Sequence, residues 1–329
     1  MEDMNKATAV ANPNIAFIKY WGKAHEALNL PANPSLSMNL AGLTTVTTVE
    51  FRPGLAADSV VIDGGPAQDQ ARQRVVAHLD RVRALARTDR RALVASRNDF
   101  PAGTGLASSA SAFAALSLAA SRAAGLVLDE GALSRLARWA SGSACRSVVG
   151  GFALWEGDDD ETSFAHQVAP PSFWDLRDLV AIVGREHKGV GSQQGHGLAA
   201  TSPLHAARLE AVPGLLARAL DAVQGRDLAT LGPVVEADAL AMHGVMMTSR
   251  PSLLYWLPAT VAVLQAVRAW RKAGMDVFFT LDAGPNVHCL CEAARADEVE
   301  DRLRRVPGVL DVLASGPGGS VRLVDYDLF

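Results

Sequence analysis

The segment Pro101-Ala-Gly-Thr-Gly-Leu-Ala-Ser-Ser-Ala-Ser111 constrains the fold of this chain more than any other stretch. It leaves the strand-like Ala92–Val94 and leads directly into an alanine-rich helical run that ends at Ala124. Small side chains let the backbone approach a ligand, and a helix N-terminus presents free N–H groups and the positive end of the macrodipole. That combination holds phosphate, with Pro101, Gly103, Gly105, Leu106 and Ala107 forming the loop. The hydroxyls of Ser108 and Ser109 suit phosphate or Mg²⁺. A loop that only caps a helix has the same composition, and spacing leaves both readings open. A Walker A loop is excluded because no Gly-Lys-Ser/Thr follows, and the Rossmann glycine spacing is absent too.

The flanking periodicities describe an α+β chain. Thr8–Ala11, the alternating Leu43–Phe51 and Val60–Asp63 before Gly64-Gly65-Pro66 read as an antiparallel sheet with one wet face. Val75, Val76, Leu79, Val82 and Leu85 repeat at helical spacing within Gln68–Ala86, and Gly131–Ala140 forms a further helix. Strand-like Phe152–Trp155 and Leu179–Val183 bracket the acidic Asp158–Glu161, which reads as a solvated turn. Beyond residue 200 come amphipathic helices near Pro203–Val223, Asp227–Met242 and Pro258–Ala273. Strands return at Val277–Leu281, Val287–Cys291 and Val321–Val324. At roughly 150 residues per domain, 329 residues make two units, expected as 1–185 and 186–329. No repeat or linker separates them, so a cleft between closely packed units is the expected ligand site.

Composition narrows the partners. Thirty-one basic residues against 35 acidic ones leave a net charge of −4, which argues against nucleic acid or an anionic membrane as partner. No apolar run of about 18 residues and no signal-like N-terminus is present, so a soluble, cytoplasmic protein is expected. Cys145, Cys289 and Cys291 are too few for a disulfide framework or a zinc site; the last two, two apart in an apolar strand, read as buried hydrophobes.

Any anion site must therefore be local, and the lysines point to one. Only five exist, and Lys19 and Lys23 fall four apart in Asn14-Ile-Ala-Phe-Ile-Lys-Tyr-Trp-Gly-Lys23. An extended strand through both would aim the two ammonium groups to one side, toward a doubly charged or polyphosphate ligand. A solvated surface pair is the alternative. Ser141-Gly-Ser-Ala-Cys-Arg146 offers hydroxyls and a guanidinium that can clasp a carboxylate, although a helix connection rich in small residues has the same composition. Asp282, in Leu281-Asp-Ala-Gly-Pro-Asn286, is a lone carboxylate at a strand end, a position that suits either a turn former or an acid–base group.

Together these segments resemble the GHMP kinase superfamily and, within it, the diphosphomevalonate decarboxylases. The likeness rests on Ile-Lys-Tyr-Trp-Gly-Lys23, Asn29-Leu-Pro with Ser35-Leu-Ser37, Gly105-Leu-Ala-Ser-Ser-Ala110, Ser141–Arg146 with Gly150-Gly151-Phe152, Thr201-Ser-Pro203 and Phe279–Asn286. It implies a two-domain GHMP kinase fold: a ribosomal S5 domain 2-like N-terminal domain and a GHMP C-terminal α/β sandwich domain carrying Asp282. It further implies a homodimer that uses ATP and Mg²⁺ to phosphorylate the tertiary 3-hydroxyl of a phosphorylated 3-hydroxy acid. Loss of phosphate and CO₂ then gives isopentenyl diphosphate. By position, Asp282 would orient or deprotonate the hydroxyl, Arg146 would hold the carboxylate, and Lys19 would complete the charged trio. Ser108 and its loop would hold ATP phosphates and the metal, and Ser141 and Ser143 would contact substrate. Tyr20, Lys23 and Ser192 would hold the distal diphosphate.

Three segments depart from the family pattern. Gln193 and His196 replace residues that bacterial members often have as Arg and Met, Ala24-His25 replaces a basic-acidic pair, and Leu240 stands where relatives often have Asn. These changes bear on the substrate's tail rather than on the reacting trio. Phosphomevalonate or another 3-hydroxy acid is therefore an alternative substrate, and a GHMP kinase that stops at the phosphate ester is a further one.

Overall fold

Pro13, which has no N–H for a ladder, divides the first β-rich stretch into two strands that enter different sheets. Lys6–Ala11 pairs with Thr45–Arg52, and Asn14–Ile18 pairs with Ser35–Asn39. The structure, a computed structural model, describes residues 5–100, 108–185 and 190–329. Its first sheet runs Arg322–Val324, Lys6–Ala11, Thr45–Arg52, Arg91–Asn98, Ser59–Ile62, Gly65–Pro66. Helices Asp69–Ala86 and Ser108–Ala123 bury Leu79, Val82, Phe113 and Leu116 with Val49, Phe51 and Val94 of that sheet. The wet face expected from the Thr/Val alternation is covered. The Thr8 and Thr48 hydroxyls bond at 2.8 Å, and the Leu328 amide donates to Thr48 Oγ1 at 3.1 Å as the C-terminal segment crosses.

The second sheet runs Phe164–Ala169, Phe152–Glu156, Ser35–Asn39, Asn14–Ile18; the third runs Phe278–Thr280, Val287–Glu292, Leu176–Ile182, Asp311–Ser315. Helices His205–Gly225 and Leu228–Thr248 tie the two together. Their Val212, Leu216, Leu231 and Val235 share one core with Ile15, Phe17 and Leu36 of the second sheet and Val180, Phe278 and Leu290 of the third. Gly232 permits this approach, since a Cβ there would lie 2.0 Å from the Phe278 ring. On the third sheet's other face, Leu179, Cys289 and Cys291 pack with Val263, Val267 and Val299 of helices Pro258–Lys272 and Ala296–Arg304. Both thiols are buried as expected, and burial pushes the Cys291 thiol up to about 12.

Leu176–Ile182 pairs with Val287–Glu292 and Asp311–Ser315 in the third sheet, and Arg322–Val324 pairs with Lys6–Ala11 in the first.

The acidic turn is also more than solvated. Asp160 accepts hydrogen bonds from Trp139 Nε1 at 2.6 Å, from Arg135 at 3.2 Å and from the fully buried Arg138. A guanidinium buried on a helix's inner face needs a counter-ion, and this turn supplies it.

Candidate active site

The strand Asn14–Ile18 ends one residue before Lys19, so the Lys19 peptide has left the sheet ladder. Its side chain is 2% exposed, and Nζ donates to Asp282 Oδ1 at 2.8 Å. Asp282 follows the strand Phe278–Thr280. Its carbonyl meets the Gly284 amide at 2.7 Å and His243 Nε2 at 3.1 Å, which fixes the turn. Burial lowers the Lys19 pKa, with Asp282 and Asp238 opposing it. Burial would raise that of Asp282, but Lys19, His288 and Arg146 outweigh it and hold the carboxyl below its usual range. Asp282 is thus an ionised acceptor at neutral pH. Lys19 occupies Oδ1, and no described residue bonds to Oδ2.

Arg146 lies in the 3₁₀ turn Gly142–Ser147, 97% removed from solvent. Its guanidinium donates to Ser35 Oγ at 2.6 Å, Ser37 Oγ at 3.1 Å and Asn14 Oδ1 at 3.1 and 3.3 Å. Those partners fix its plane but carry no charge, and no described carboxylate lies within ion-pair distance. Such a cation is costly to bury alone and attracts an incoming carboxylate. Ser35 and Ser37, two apart on one strand face, were legible as a motif without a role; Asn14 had no signal beyond its place in the lysine segment.

The two lysines do not share one strand. Between them Gly22 turns the chain at φ +94°, and a Cβ there would lie 2.8 Å from His205 Cε1, so glycine alone fits. Lys23 begins a separate strand, Lys23–His25, and pairs with the exposed Glu26 at 2.8 Å. The turn rather than strand period brings both lysines to one cavity of about 540 Å³. Tyr20, Ser192, Gln193, His196, Ser108, Ser109, Ser141 and Ser143 line it too, as do Gln70 and Arg74, which sequence reasoning missed. Among the described lining residues Lys19, Lys23, Arg74 and Arg146 face a single carboxylate, Asp282: a local site for a polyanion on a chain of net charge −4. Pro101, Gly103, Gly105, Leu106 and Ala107 lie outside the described residues.

The Tyr20 hydroxyl is buried and has no hydrogen-bond partner among the described residues. His196 packs on Tyr20 and Trp21, with ring centroids 4.1 and 4.5 Å away, and its Nδ1 accepts the Gly22 N–H at 3.1 Å. Burial, reinforced by Lys23 and Arg146, lowers its pKa to about 3, so this ring is a neutral wall. Leu240 packs into the core beside the third sheet.

Residues 11–165 match the model of the diphosphomevalonate decarboxylase-like N-terminal domain, and residues 178–312 that of the mevalonate 5-diphosphate decarboxylase C-terminal domain. The chain is 37% identical to the diphosphomevalonate decarboxylase of Aspergillus fumigatus over 85% of its own length and 75% of that protein's. It is 34% identical to the phosphomevalonate decarboxylase of Haloferax volcanii over 97% and 98%. A structure solved in complex with MVAPP, AMPPCP and magnesium superposes with a TM-score of 0.92 at 37% identity, covering 98% of this chain and 99% of that one.

Proposed function

The chain belongs to the diphosphomevalonate decarboxylase family and is an ATP-dependent decarboxylase using Mg²⁺; from that premise we propose how its own residues divide the reaction on diphosphomevalonate. Asp282 Oδ2 accepts the substrate's 3-hydroxyl and orients its oxygen toward the transferable phosphate, while Lys19 keeps the carboxylate ionised. Arg146 receives the substrate carboxylate. Once the tertiary phosphate leaves, electron deficiency at the 3-carbon is quenched by the pair released from the carboxylate carbon, giving CO₂ and the alkene. Ser141 and Ser143 contact substrate beside Arg146, and Tyr20, Lys23, Ser192 and Gln193 hold its tail with His196 as a wall. Ser108 and Ser109, with residues 101–107, would hold the ATP phosphates, and the Ser108 hydroxyl would offer an oxygen ligand to the Mg²⁺, which neutralises phosphate charge. The single observation that carries this reading is the cavity that joins the Lys19–Asp282 pair to Arg146, which has no described carboxylate within ion-pair distance.

The test is stoichiometric release of CO₂, ADP and phosphate from ATP and diphosphomevalonate; ADP without CO₂ would indicate a kinase instead. Phosphomevalonate is the second reading, favoured by Gln193 and His196, which bring no cation to the tail, and consistent with the Haloferax relative. Comparing kcat/KM for both substrates decides between them. We place the enzyme in the cytoplasm, where its three buried free thiols stay reduced, and as a homodimer, which sedimentation would establish. Among the described residues no helix is long and apolar enough to cross a membrane.

A further inference from the structure

The main chain of Lys19 is enclosed by a ring of hydrogen bonds that the reaction scheme does not use. Its N–H donates to Asp238 Oδ2 at 2.6 Å. Its carbonyl accepts from Arg208 at 2.8 Å and from Asn33 Nδ2 at 2.9 Å. Arg208 closes the ring, bonding Asp238 Oδ1 at 2.9 Å and Asn33 Oδ1 at 3.1 Å. Asp238, Arg208 and Asn33 are 0, 4 and 4% exposed.

Arg208 lies on His205–Gly225 and Asp238 on Leu228–Thr248, the helices that tie the second sheet to the third. Stability alone does not call for charges here, since apolar residues of similar volume serve as well as a buried ion pair. What the pair adds is direction. Lys19 reaches Asp282 by its side chain and Asp238 and Arg208 by its backbone, so the peptide that carries the ammonium cannot shift without breaking several buried hydrogen bonds.

We propose that Asp238 and Arg208 are positioning residues, holding the Lys19 main chain so that its ammonium keeps its station against Asp282. The proposal rests on the functional reading above for its kinetic consequence, not for its structural one. The charged groups facing Lys19 are Asp238, Asp282, Arg146 and Arg208. Those facing Asp282 are Lys19, Arg146 and His288, with His243 on its carbonyl.

The test uses the full chain carrying Asp238→Asn, whose amide cannot satisfy Arg208 and the Lys19 N–H together. Arg208→Lys is the second variant: it keeps the charge but cannot reach Asp238, Asn33 and the Lys19 carbonyl at once. Two readouts are taken, kcat and KM with their pH dependence, and the Asp282 carboxyl titration by ¹³C NMR without substrate. We expect kcat to fall about 10- to 100-fold with KM within about twofold, the penalty of a slight misplacement. The acid limb and the Asp282 titration should both move to higher pH as Lys19 loosens. Folded variants with lower Tm but unmoved kcat and unmoved Asp282 titration would overturn the proposal and leave the ring merely structural. If the unaltered enzyme releases no CO₂, the functional reading fails, and the NMR titration alone still decides the positioning role.

Discussion

Lys19 Nζ and Asp282 Oδ1 stand 2.8 Å apart although they lie 263 positions apart in the sequence, in segments that match two different domain models. Lys23, by contrast, pairs with the exposed Glu26, a partner that an incoming phosphate can displace. The two lysines should therefore separate in kinetics. Lys19→Ala is expected to lower kcat by about 10²- to 10³-fold with little change in KM, as for loss of one charged group at the reacting centre. Lys23→Ala should mainly raise KM. Steady-state assays of both variants check this; equal, small effects would dismiss the assignment.

Arg146 is held by two serine hydroxyls and an asparagine carbonyl in a plane that only a guanidinium matches. Arg146→Lys keeps the charge yet strands those partners and loses the bidentate grip on a carboxylate. CO₂ release per unit enzyme should drop by about 10²-fold. Ser35→Ala with Ser37→Ala, which frees the guanidinium without removing it, should cost less and act mainly on KM.

The two-unit α+β architecture was legible because its elements carry clean periods: Val75, Leu79 and Val82 on one helix, the Thr/Val run on one strand. Lys19, Arg146 and Asp282 were each singled out by scarcity or local motif, and the family resemblance grouped them. What joins them was not legible. Asp238 is one of two buried carboxylates, with Glu236, on a largely apolar helix, and that oddity is the local sign of the ring around Lys19. Arg208 lies 30, 175 and 189 residues from Asp238, Asn33 and Lys19, the positions it meets, beyond any periodicity. The lysine pair was misjudged for a local reason: a strand period was applied across Gly22, where the chain turns. Asp160 misled because charge runs look solvated until a buried arginine claims one member.

His78 and His196 both have pKa values lowered to about 3 by burial. Between pH 6.5 and 3 the unfolded chain binds a proton at each position that the folded chain refuses, so folding stability falls as pH falls through this window. His78, 1% exposed with Nε2 2.9 Å from Ser117 Oγ, should lose up to ~1.4 kcal/mol per pH unit there. Tm measured from pH 7 to 4.5 should decline, and His78→Gln should flatten that slope. His196 stays neutral throughout the working range, so His196→Met should leave the shape of the activity–pH profile unchanged.

Asp160 neutralises Arg138, which is fully buried and also donates to the carbonyls of Ser163 and Leu28. Asp160→Ala leaves that guanidinium with neutral acceptors only. A buried pair broken on one side costs about 3–5 kcal/mol, and the surviving carbonyl bonds place the expected loss near the lower end. Asp159→Ala in the same turn removes the hydrogen bonds that Thr162 and Glu161 donate to an exposed carboxylate and should cost clearly less. Denaturant unfolding of the two variants should show that difference as a shift in midpoint. If they lose stability equally, the turn is the solvated feature its composition first implied, and Arg138 draws nothing from it. Pairing Asp160→Leu with Arg138→Met, which removes both charges, should recover most of the loss, because the cost lies in the uncompensated cation rather than in the missing contact.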